Sequence, residues 1–492
     1  MSVSRRQLLT LLAAAPALAL PGVRAAARAA EPDWRLGWRT VRTDALPPLA
    51  MAVAGDWPRA LQGTLLRNGP ARYERGGRHY RHWFDGDGML QQFRIAGGAL
   101  THYGRFIETA KYRSERDAGR FLYDGAGTHF EGAEPGRNND TINVANTALL
   151  PFGGEVLALW EGGSAYRVAP DSLATLGLKN WGEGLAHMPF SAHPLPERDG
   201  SYWNFGFAPY AGAGGTLVIY RFRPGTGMEA VTPLPLPFPG YLHDFAQTDR
   251  HLLFLLPPYR YDPAAGRTFV DRFRWEPETG SRLLVLDKDD LTRRQVFELP
   301  AGFVFHFGHA ALKGRELRLQ LCWYDSPALM ASGMTSLVAH GQTASPTHAR
   351  ASTVVAGLGS GRATLEASTT VLEFPGFDER PAYPATLPVY GAGKAAVASE
   401  QPVDTVTAWN PATGAVDEYR YPYGVQAEEP LFVPDDSAKP GRGWLLQTYL
   451  DCNAGFTGLN VFDAEAVAAG PRATATMARA LPLGFHGTFL PA

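Results

Sequence analysis

Short apolar runs, separated by turn-forming residues, recur along the chain from residue 34 to residue 492. The segment Glu316–Tyr324 alternates apolar and polar positions, which predicts a strand with one buried face. Continuous apolar runs bounded by Gly, Pro or Asp predict further buried strands. The clearest of these runs are 154–160, 215–222, 250–256, 281–286 and 443–449. The pattern therefore predicts an all-β protein, built as a sandwich array, a large barrel or a propeller.

Helical periodicity is rare by comparison. The segments 108–120 and 327–338 are the two that predict helices. Residues 332–361 are rich in Ala, Ser, Thr and Gly, and we expect them to form an insertion over one face. Neither a linker nor a low-complexity block interrupts the rest of the chain, so residues 30–492 are predicted to form a single domain.

Composition and charge narrow the choice of class. The chain has 54 Gly, 39 Pro and 11% aromatic residues, which favours short strands joined by turns. A net charge of -2 gives no electrostatic reason to expect nucleic acid as a partner. Cys322 and Cys452 are the only cysteines, so the fold cannot depend on a disulfide framework. One bridge between them is left open.

The first 29 residues have the pattern of an export signal. Ser4-Arg-Arg-Gln-Leu-Leu9 carries twin arginines, a moderately apolar run follows at 11–20, and Ala27-Arg-Ala29 is a candidate cleavage site. We therefore expect passage through the twin-arginine translocase into the periplasm. An uncleaved N-terminal helix is the alternative. The apolar run is too short to span a bilayer, so we expect a soluble mature protein and leave a peripheral membrane contact open.

Four histidines stand in apolar or turn-rich settings: His193, His243, His306 and His486. A buried imidazole needs hydrogen bonds or a metal, and neutral imidazole suits iron, copper, zinc and nickel. The first three are 50 and 63 residues apart, and the fourth follows 180 residues later. A propeller blade takes about 40–50 residues, and its inner strands converge on one axis. The spacing thus favours a propeller with a shared site, although each histidine could instead be a satisfied core or turn residue.

An ordered series of motifs accompanies these histidines. In chain order they are Gly63-Thr-Leu-Leu-Arg-Asn-Gly-Pro70, His82-Trp-Phe-Asp-Gly-Asp-Gly-Met89, Ala145-Asn-Thr147, Ser191-Ala-His-Pro194, His243-Asp-Phe-Ala-Gln-Thr248, Leu372-Glu-Phe-Pro375 and Gly484-Phe-His-Gly-Thr488. The series resembles the carotenoid cleavage oxygenases, the family that also holds lignostilbene dioxygenases and the retinoid isomerase. The resemblance covers roughly residues 40 to 490.

The resemblance implies a seven-bladed β-propeller, with a dome of loops and short helices over one face. It also implies Fe²⁺ on the propeller axis, bound by His193, His243, His306 and His486. His309 is the competitor for the third position, and many relatives carry Asn there. The family pattern favours His306, which directly follows an aromatic residue.

Three carboxylates match positions that support the metal ligands in this family. The resemblance pairs Glu161 with His243, Glu373 with His306 and Glu429 with His486, and it leaves His193 without a carboxylate. A carboxylate that accepts the free N–H of a ligating imidazole fixes the tautomer and the ring orientation.

The implied activity is oxidative cleavage of a C=C bond in a conjugated apolar substrate by O₂, with two carbonyl products. Candidates for the wall of an apolar tunnel are Phe106, Trp181, Phe305 and Phe485. Three functions stay open: a carotenoid or apocarotenoid dioxygenase, a stilbene-cleaving dioxygenase, and a non-catalytic periplasmic protein that binds an apolar ligand.

One comparison within the family favours a polyene substrate. Stilbene-cleaving relatives hold the phenol of the substrate with a Tyr and a Lys. Here Phe106 stands at the place of the Tyr, and residues 139–144 contain no Lys. A site built to bond a hydroxyl rejects partners that lack it, and an apolar wall suits a hydrocarbon chain instead.

Overall fold

Antiparallel strands dominate the chain, which confirms the all-β prediction. A computed structural model describes residues 31–236, 238, 240–343, 348–380, 387–395, 403–435, 437 and 439–492. The predicted export signal at 1–29 lies outside these residues. Residues Asp33–Ala492 form one compact unit.

The strands of the first half of the chain are short and closely spaced. They are β1 (Ala45–Ala50), β2 (Ala52–Gly55), β3 (Gly63–Arg72), β4 (Glu74–Arg75), β5 (Arg78–His79), β6 (Asp87–Ala96), β7 (Ala99–Phe106), β8 (Ala148–Phe152), β9 (Glu155–Leu159), β10 (Tyr166–Val168), β11 (Thr175–Leu178), β12 (Leu195–Pro196), β13 (Tyr202–Ala208), β14 (Thr216–Arg223), β15 (Gly227–Pro235), β16 (Ala246–Gln247) and β17 (His251–Leu256).

The second half continues in the same way. Its strands are β18 (Tyr259–Tyr261), β19 (Phe273–Trp275), β20 (Ser281–Asp287), β21 (Arg294–Leu299), β22 (Phe303–Lys313), β23 (Glu316–Tyr324), β24 (Arg350–Gly357), β25 (Arg362–Gly376), β26 (Val389–Gly393), β27 (Thr405–Trp409), β28 (Val416–Arg420), β29 (Val425–Pro434), β30 (Gly443–Asp451), β31 (Phe456–Asp463), β32 (Ala473–Met477) and β33 (Gly487–Pro491). The five clearest apolar runs of the sequence each fall on a strand: β9, β14, β17, β20 and β30.

The helices are few, as the sequence predicts. Both predicted helical segments are helical: α1 spans Ala110–Ala118, and a π-helical turn at Leu329–Gly333 leads into α2 at Met334–His340. The Thr109 hydroxyl accepts the Tyr112 N–H and caps the start of α1. Short 3₁₀ turns lie at Trp34–Trp38, Trp83–Asp85, Asn139–Ile142, Val270–Arg272, Pro277–Thr279 and Val467–Ala469.

The predicted insertion at 332–361 is wrong in its second half. Residues 350–357 form β24, which pairs with β23 and β25 inside a sheet. The small residues of this segment are buried there: Ala351, Val354 and Ala356 are at most 1% exposed. A composition rich in small residues suggested a surface segment, but here the small side chains are buried in the packing between sheets.

Six sheets of four or more strands carry the fold in the described residues. In order of neighbouring strands, sheet 1 is β1-β7-β6-β3-β33, sheet 2 is β11-β10-β9-β8, sheet 3 is β12-β13-β14-β15, sheet 4 is β16-β17-β20-β21, sheet 5 is β22 through β28, and sheet 6 is β2-β32-β31-β30-β29. The pairs β4–β5 and β18–β19 form separate hairpins. Sheet 1 therefore joins an early strand, β3, to the last strand, β33, by direct hydrogen bonding.

Hydrophobic clusters connect each sheet to the next one along the chain. Leu66 and Ala158 share a cluster between sheets 1 and 2, and further clusters lie between sheets 2 and 3, 3 and 4, 4 and 5, and 5 and 6. Another cluster, which includes Phe93 and Leu459, joins sheet 6 back to sheet 1. The packing contacts between sheets thus run in a complete cycle, and apolar burial of this kind is the main stabilising contribution to folding.

Cys322 and Cys452 are both buried and both free thiols, so the disulfide left open by the sequence does not form.

Within the described parts of the chain, every helix is too short or too polar to cross a lipid bilayer.

Candidate active site

The four predicted histidines lie at one edge of four different sheets. His193 and His243 come shortly before β12 and β16, His306 lies within β22, and His486 directly precedes β33. Each of these strands is the edge strand of its sheet. Because the sheets pack in a cycle, four edges that are distant in sequence bring their side chains to a common point.

At that point the imidazole nitrogens face one another. The Nε2 atom of His243 lies 3.2 Å from that of His193 and 3.2 Å from that of His306, and the Nε2 atoms of His306 and His486 are 3.1 Å apart. All four nitrogens fall within 4.8 Å of one another. Four convergent nitrogen donors match the requirements of a transition-metal site.

The opposite ring nitrogens of three histidines meet the predicted carboxylates. His306 Nδ1 donates to Glu373 Oε2 at 2.6 Å, and His486 Nδ1 donates to Glu429 Oε1 at 2.7 Å. His243 Nδ1 is paired with Glu161. With the proton held on Nδ1, the Nε2 lone pair of each ring is directed at the common point.

Burial favours the neutral form of His193 and His306, whereas at His243 the effect of Glu161 outweighs burial and raises the pKa. Burial, followed by the neighbouring imidazoles, lowers the pKa of His193 well below its ordinary value. Burial also lowers the pKa of His306 to about 4, against the opposing effect of Glu373. For Glu373 and Glu429, burial raises the pKa, but the adjacent histidines and hydrogen bonds outweigh it and lower the pKa below the ordinary value. Ionised carboxylates beside neutral imidazoles fit a cationic metal.

His309 lies on the same strand but away from this group. Its backbone N–H donates to Gln320 Oε1, and its ring packs edge-on against Phe377 at 5.6 Å. The structure therefore brings His306, and not His309, together with the other three histidines.

Several polar residues at the site carried no recognisable sequence signal. The hydroxyl of Tyr324 donates to Glu373 at 2.9 Å, and that of Tyr241 donates to Glu161 at 3.3 Å. Both tyrosines are at most 3% exposed and sit in aromatic runs that look like ordinary core. Their phenols orient two of the three carboxylates.

Asp244 is a fourth carboxylate near the histidines. It accepts the backbone N–H groups of Phe245 and Phe307, which ties the segment of His243 to the strand of His306. Its Oδ1 is 4.0 Å from His193 Nδ1, too long for a hydrogen bond. Burial raises the pKa of Asp244 to about 7.

Phe374 adopts an unusual backbone conformation beside the site. Its φ of +52° lies in the left-handed region, which a residue with a large side chain rarely adopts. Its N–H donates to Glu373 Oε2 at 2.6 Å, and its ring lies 5.3 Å from His306 and 5.4 Å from His486. The strained residue thus contacts both a carboxylate and two imidazoles, as strained residues at functional sites often do.

Arg67 of β3 supports the third carboxylate. Its guanidinium donates to Glu429 at 2.5 Å and to the Phe485 carbonyl at 3.2 Å, and lies 3.6 Å from Glu428. Glu428 accepts the Gly484 N–H, and Glu429 accepts the Gly487 N–H. The segment that bears His486 is therefore held from both sides by one buried cation and two carboxylates, an arrangement that we call the Arg67 clamp.

A cavity of about 640 Å³ opens onto the histidines. Its walls are mainly apolar and include Phe305 and Phe485, two of the predicted tunnel residues. The other two are not among its lining residues. Phe106 stacks on Tyr112 in a small separate cluster, and Trp181 packs in the cluster between sheets 2 and 3. Both side chains point into the packing between elements, so their expected place on the tunnel wall is not supported.

The chain is similar to proteins of known activity over almost its whole length. A family model described as Retinal pigment epithelial membrane protein matches residues 38–491. The chain is 28% identical over 467 residues to the apocarotenoid-15,15'-oxygenase of Synechocystis sp., covering 89% of this chain and 92% of that protein. It is 28% identical over 494 residues to carotenoid 9,10(9',10')-cleavage dioxygenase 1 of Arabidopsis thaliana, covering 92% and 88%.

Solved structures give the same match. The structure is similar to those of Synechocystis apocarotenoid oxygenase, including a cobalt-substituted form, with a TM-score of 0.83 and 25% identity. The match covers 94% of this chain and 98% of that one.

The Arg67 clamp leads to a prediction about stability. Arg67→Met should lower the free energy of unfolding by about 3–5 kcal/mol, because two buried carboxylates lose their cation. Urea denaturation of the metal-free protein measures the change. Arg94→Met is the matched control: Arg94 pairs with Asp171 at 3.4 Å at the surface, and its loss should cost less than about 1 kcal/mol. Equal losses in the two variants would contradict the clamp.

Proposed function

The chain belongs to the family of the retinal pigment epithelial membrane protein, and from that membership we propose that it is a non-haem iron(II) dioxygenase of carotenoids or apocarotenoids. The relatives are carotenoid and apocarotenoid oxygenases, so this chain is an oxidoreductase. In the proposed reaction, O₂ cleaves one C=C bond of the polyene and two carbonyl products form. The observation that carries the proposal is the group of four Nε2 atoms at an apolar cavity.

Iron(II) is the metal that we propose for the site. Neutral imidazole is a good ligand for iron, and the four histidines would hold the ion through their Nε2 atoms. One solved structure of a relative is a cobalt-substituted form, which supports a transition metal at the equivalent site here. Bound iron would supply the redox chemistry with O₂, and the side chains around it would supply orientation and a dry environment.

The residues of this chain have separate tasks in that chemistry. Glu161, Glu373 and Glu429 pair with the Nδ1 atoms of three ligands, which fixes the tautomer and the rotation of each ring. Phe305 and Phe485 form apolar wall next to the histidines. A flat polyene bound against such a wall excludes water from the reacting double bond.

The cavity also bears on the choice between a polyene and a stilbene. Phe106 lies outside the cavity, so the comparison at that position no longer supports either substrate. Lys111 does line the cavity, but Asp87 and Glu115 each accept from its ammonium at 2.8 Å. A lysine engaged in this way has little capacity left to bond a phenol, and the relatives by name act on carotenoids. Both considerations support the polyene, with stilbene cleavage as the alternative.

We further propose that the sheets form a seven-bladed β-propeller under a dome of loops and short helices. The support comes from sheet 5, in which the long β25 pairs with β24 along 362–371 and with β26 along 372–376. Counted as two units that share β25, sheet 5 brings the total to seven. The cyclic packing between sheets and the convergence of four edge strands on one point are what a propeller axis requires.

Export is a separate proposal, made from the sequence alone. We propose that the twin-arginine signal carries the folded, metal-loaded protein into the periplasm, since a site assembled from residues 193 to 486 exists only after folding. Replacing Arg5 and Arg6 together with Lys should retain the protein in the cytoplasm, which cell fractionation measures. Continued appearance in the periplasm would refute the signal.

The first prediction from the proposed function concerns the ligands. His306→Ala should lose most of the bound iron and all cleavage activity, because it removes one of four donors. His309→Ala is the control on the same strand, and it should keep both. Metal content by elemental analysis gives a readout that does not depend on turnover. Retention of iron by His306→Ala together with loss from His309→Ala would reverse the assignment.

The second prediction concerns the substrate and tests the proposed function directly. The iron-loaded protein should cleave an apocarotenal with a kcat/KM at least about tenfold above that for a resveratrol-type stilbene, because the apolar wall beside the histidines, including Phe305 and Phe485, offers a phenol little to bond. Product analysis and O₂ consumption measure the two rates. A tenfold preference for the stilbene would replace the polyene with the alternative. No O₂ consumption with either substrate would favour the non-catalytic binding protein.

A further inference from the structure

We propose that the mouth of the cavity contains a binding site for the carboxylate of a polyene acid, so that apocarotenoid acids are preferred substrates. This inference rests on the proposed function and names the substrate class more narrowly. We define the mouth by the lining residues of 124–126, 207–210 and 267–272. Tyr210 is 64% exposed and Phe269 is 38% exposed, so the cavity meets solvent at these residues.

Two arginines of the mouth, Arg267 and Arg272, lack a partner of opposite charge. No carboxylate of the described residues lies within ion-pair distance of either guanidinium. Among the described residues the Arg272 guanidinium makes one hydrogen bond, from Nε to the Gly266 carbonyl at 3.2 Å, which orients the group and leaves its terminal nitrogens available. Exposed arginines without partners are ordinary, but these two also line the cavity.

Every other charged residue of the cavity wall already has partners. Glu161, Glu373, Glu428 and Glu429 belong to the metal centre or the Arg67 clamp. The remaining pairs are Lys111 with Asp87 and Glu115, Asp85 with the Thr128 hydroxyl, Asp124 with His129, and Glu134 with Arg120. The acidic groups of the wall are therefore engaged in hydrogen bonds or ion pairs within the protein, and the guanidinium groups with available donor atoms lie in one segment of the mouth.

That segment is held in place by the protein. It connects the two strands of the β18–β19 hairpin and ends in the turn Val270–Arg272. Thr268 and Val270 are at most 5% exposed, and the Val270 N–H donates to the Ala126 carbonyl at 2.9 Å across the mouth. The Asp271 carboxylate accepts the Thr268 N–H at 3.4 Å. The two guanidinium groups thus extend from an anchored turn and not from a free loop.

The chemistry of the ligand follows from this arrangement. A guanidinium matches a carboxylate in shape and charge, and remains cationic at any physiological pH. The aromatic side chains of Phe269 and Tyr210 also line the cavity and suit the polyene. A molecule that places its double bond at the histidines and its acid group at the mouth would satisfy both parts of the cavity. An aldehyde or a hydrocarbon would satisfy only the apolar part.

The test compares substrates of one chain length that differ only at the end group. For the wild-type protein at low salt, we expect kcat/KM for the apocarotenoid acid to exceed that for the aldehyde by about 5- to 10-fold, the range for two exposed ion pairs. The preference should disappear in the double variant R267Q/R272Q, which keeps its activity on the aldehyde. It should also shrink at about 0.5 M salt, because the interaction is screened.

Arg274→Gln is the matched control. Arg274 is two residues from Arg272, is exposed, lies 4.0 Å from Asp262 and does not line the cavity. R274Q should keep the preference for the acid. Cleavage of the aldehyde without a preference for the acid, or an equal loss of preference in R274Q, would overturn the carboxylate site.

Calorimetric titration with hexadecanoate and hexadecanol measures the carboxylate site without turnover. It therefore remains decisive even if no polyene is cleaved and the proposed function fails. We expect the wild-type protein to bind the acid more tightly than the alcohol, and R267Q/R272Q to bind the two equally. Equal binding by the wild-type protein would overturn the site.

Flotation with phosphatidylglycerol vesicles distinguishes a bound substrate carboxylate from a lipid headgroup, since both are anions that a guanidinium can bind. We expect the wild-type protein and R267Q/R272Q to associate equally with the vesicles. If the double variant loses only its attachment to the vesicles and keeps the preference for the acid, the arginines bind lipid headgroups and the proposal is wrong.

Discussion

The candidate site depends on keeping four imidazoles uncharged at very short range. Two unit charges about 4 Å apart in a protein interior repel by roughly 4 kcal/mol at an effective dielectric constant of 20. The arrangement within 4.8 Å therefore disfavours more than one charged ring. Burial lowers the pKa of His193 and His306, and Glu373, which acts in the opposite sense on the pKa of His306, holds the remaining ring proton on Nδ1. Two tyrosines, Phe374 and Arg67 donate hydrogen bonds to those carboxylates and hold them in position.

Two residues near the metal-site histidines and their carboxylates have a strained backbone. Phe374 has a φ of +52°, and Ala145, in the Ala-Asn-Thr motif, has a φ of +47°. The Ala145 N–H is held by the Asn143 side chain, and its carbonyl accepts from Asn68. Such conformations cost roughly 1–3 kcal/mol each and persist only where neighbouring contacts enforce them. Neighbouring contacts thus enforce the backbone geometry of both motifs, and Thr147 and Phe374 line the cavity as well.

Sequence reasoning succeeded where the relevant information is local. The strand runs, the two helices and the four histidines are each recognisable within fewer than about ten residues, and the structure places all of them where the pattern indicated. It failed where the outcome depends on which other element packs against a given face of a strand or turn. Phe106 and Trp181 are aromatic residues in apolar runs, and nothing in those runs distinguishes a cavity wall from the packing between sheets. The roles of Tyr241, Tyr324 and Arg67 were missed for the same reason, because their partners lie 49 to 362 residues away.

The joining of β3 to β33 has a consequence for how the protein assembles. Arg67 and Glu429 are separated by 362 residues, and the contact between His306 and His486 spans 180. Contacts at such separations form slowly, because the chain between them must be ordered first. We therefore expect the fourth imidazole to join the other three late in folding. A metal that binds only the completed site adds its binding free energy to the folded state, about 2.7 kcal/mol at a concentration one hundred times its dissociation constant. The ion would then stabilise the pairing of β3 with β33, which joins the two ends of the chain. Loss of the ion would favour opening of this pairing.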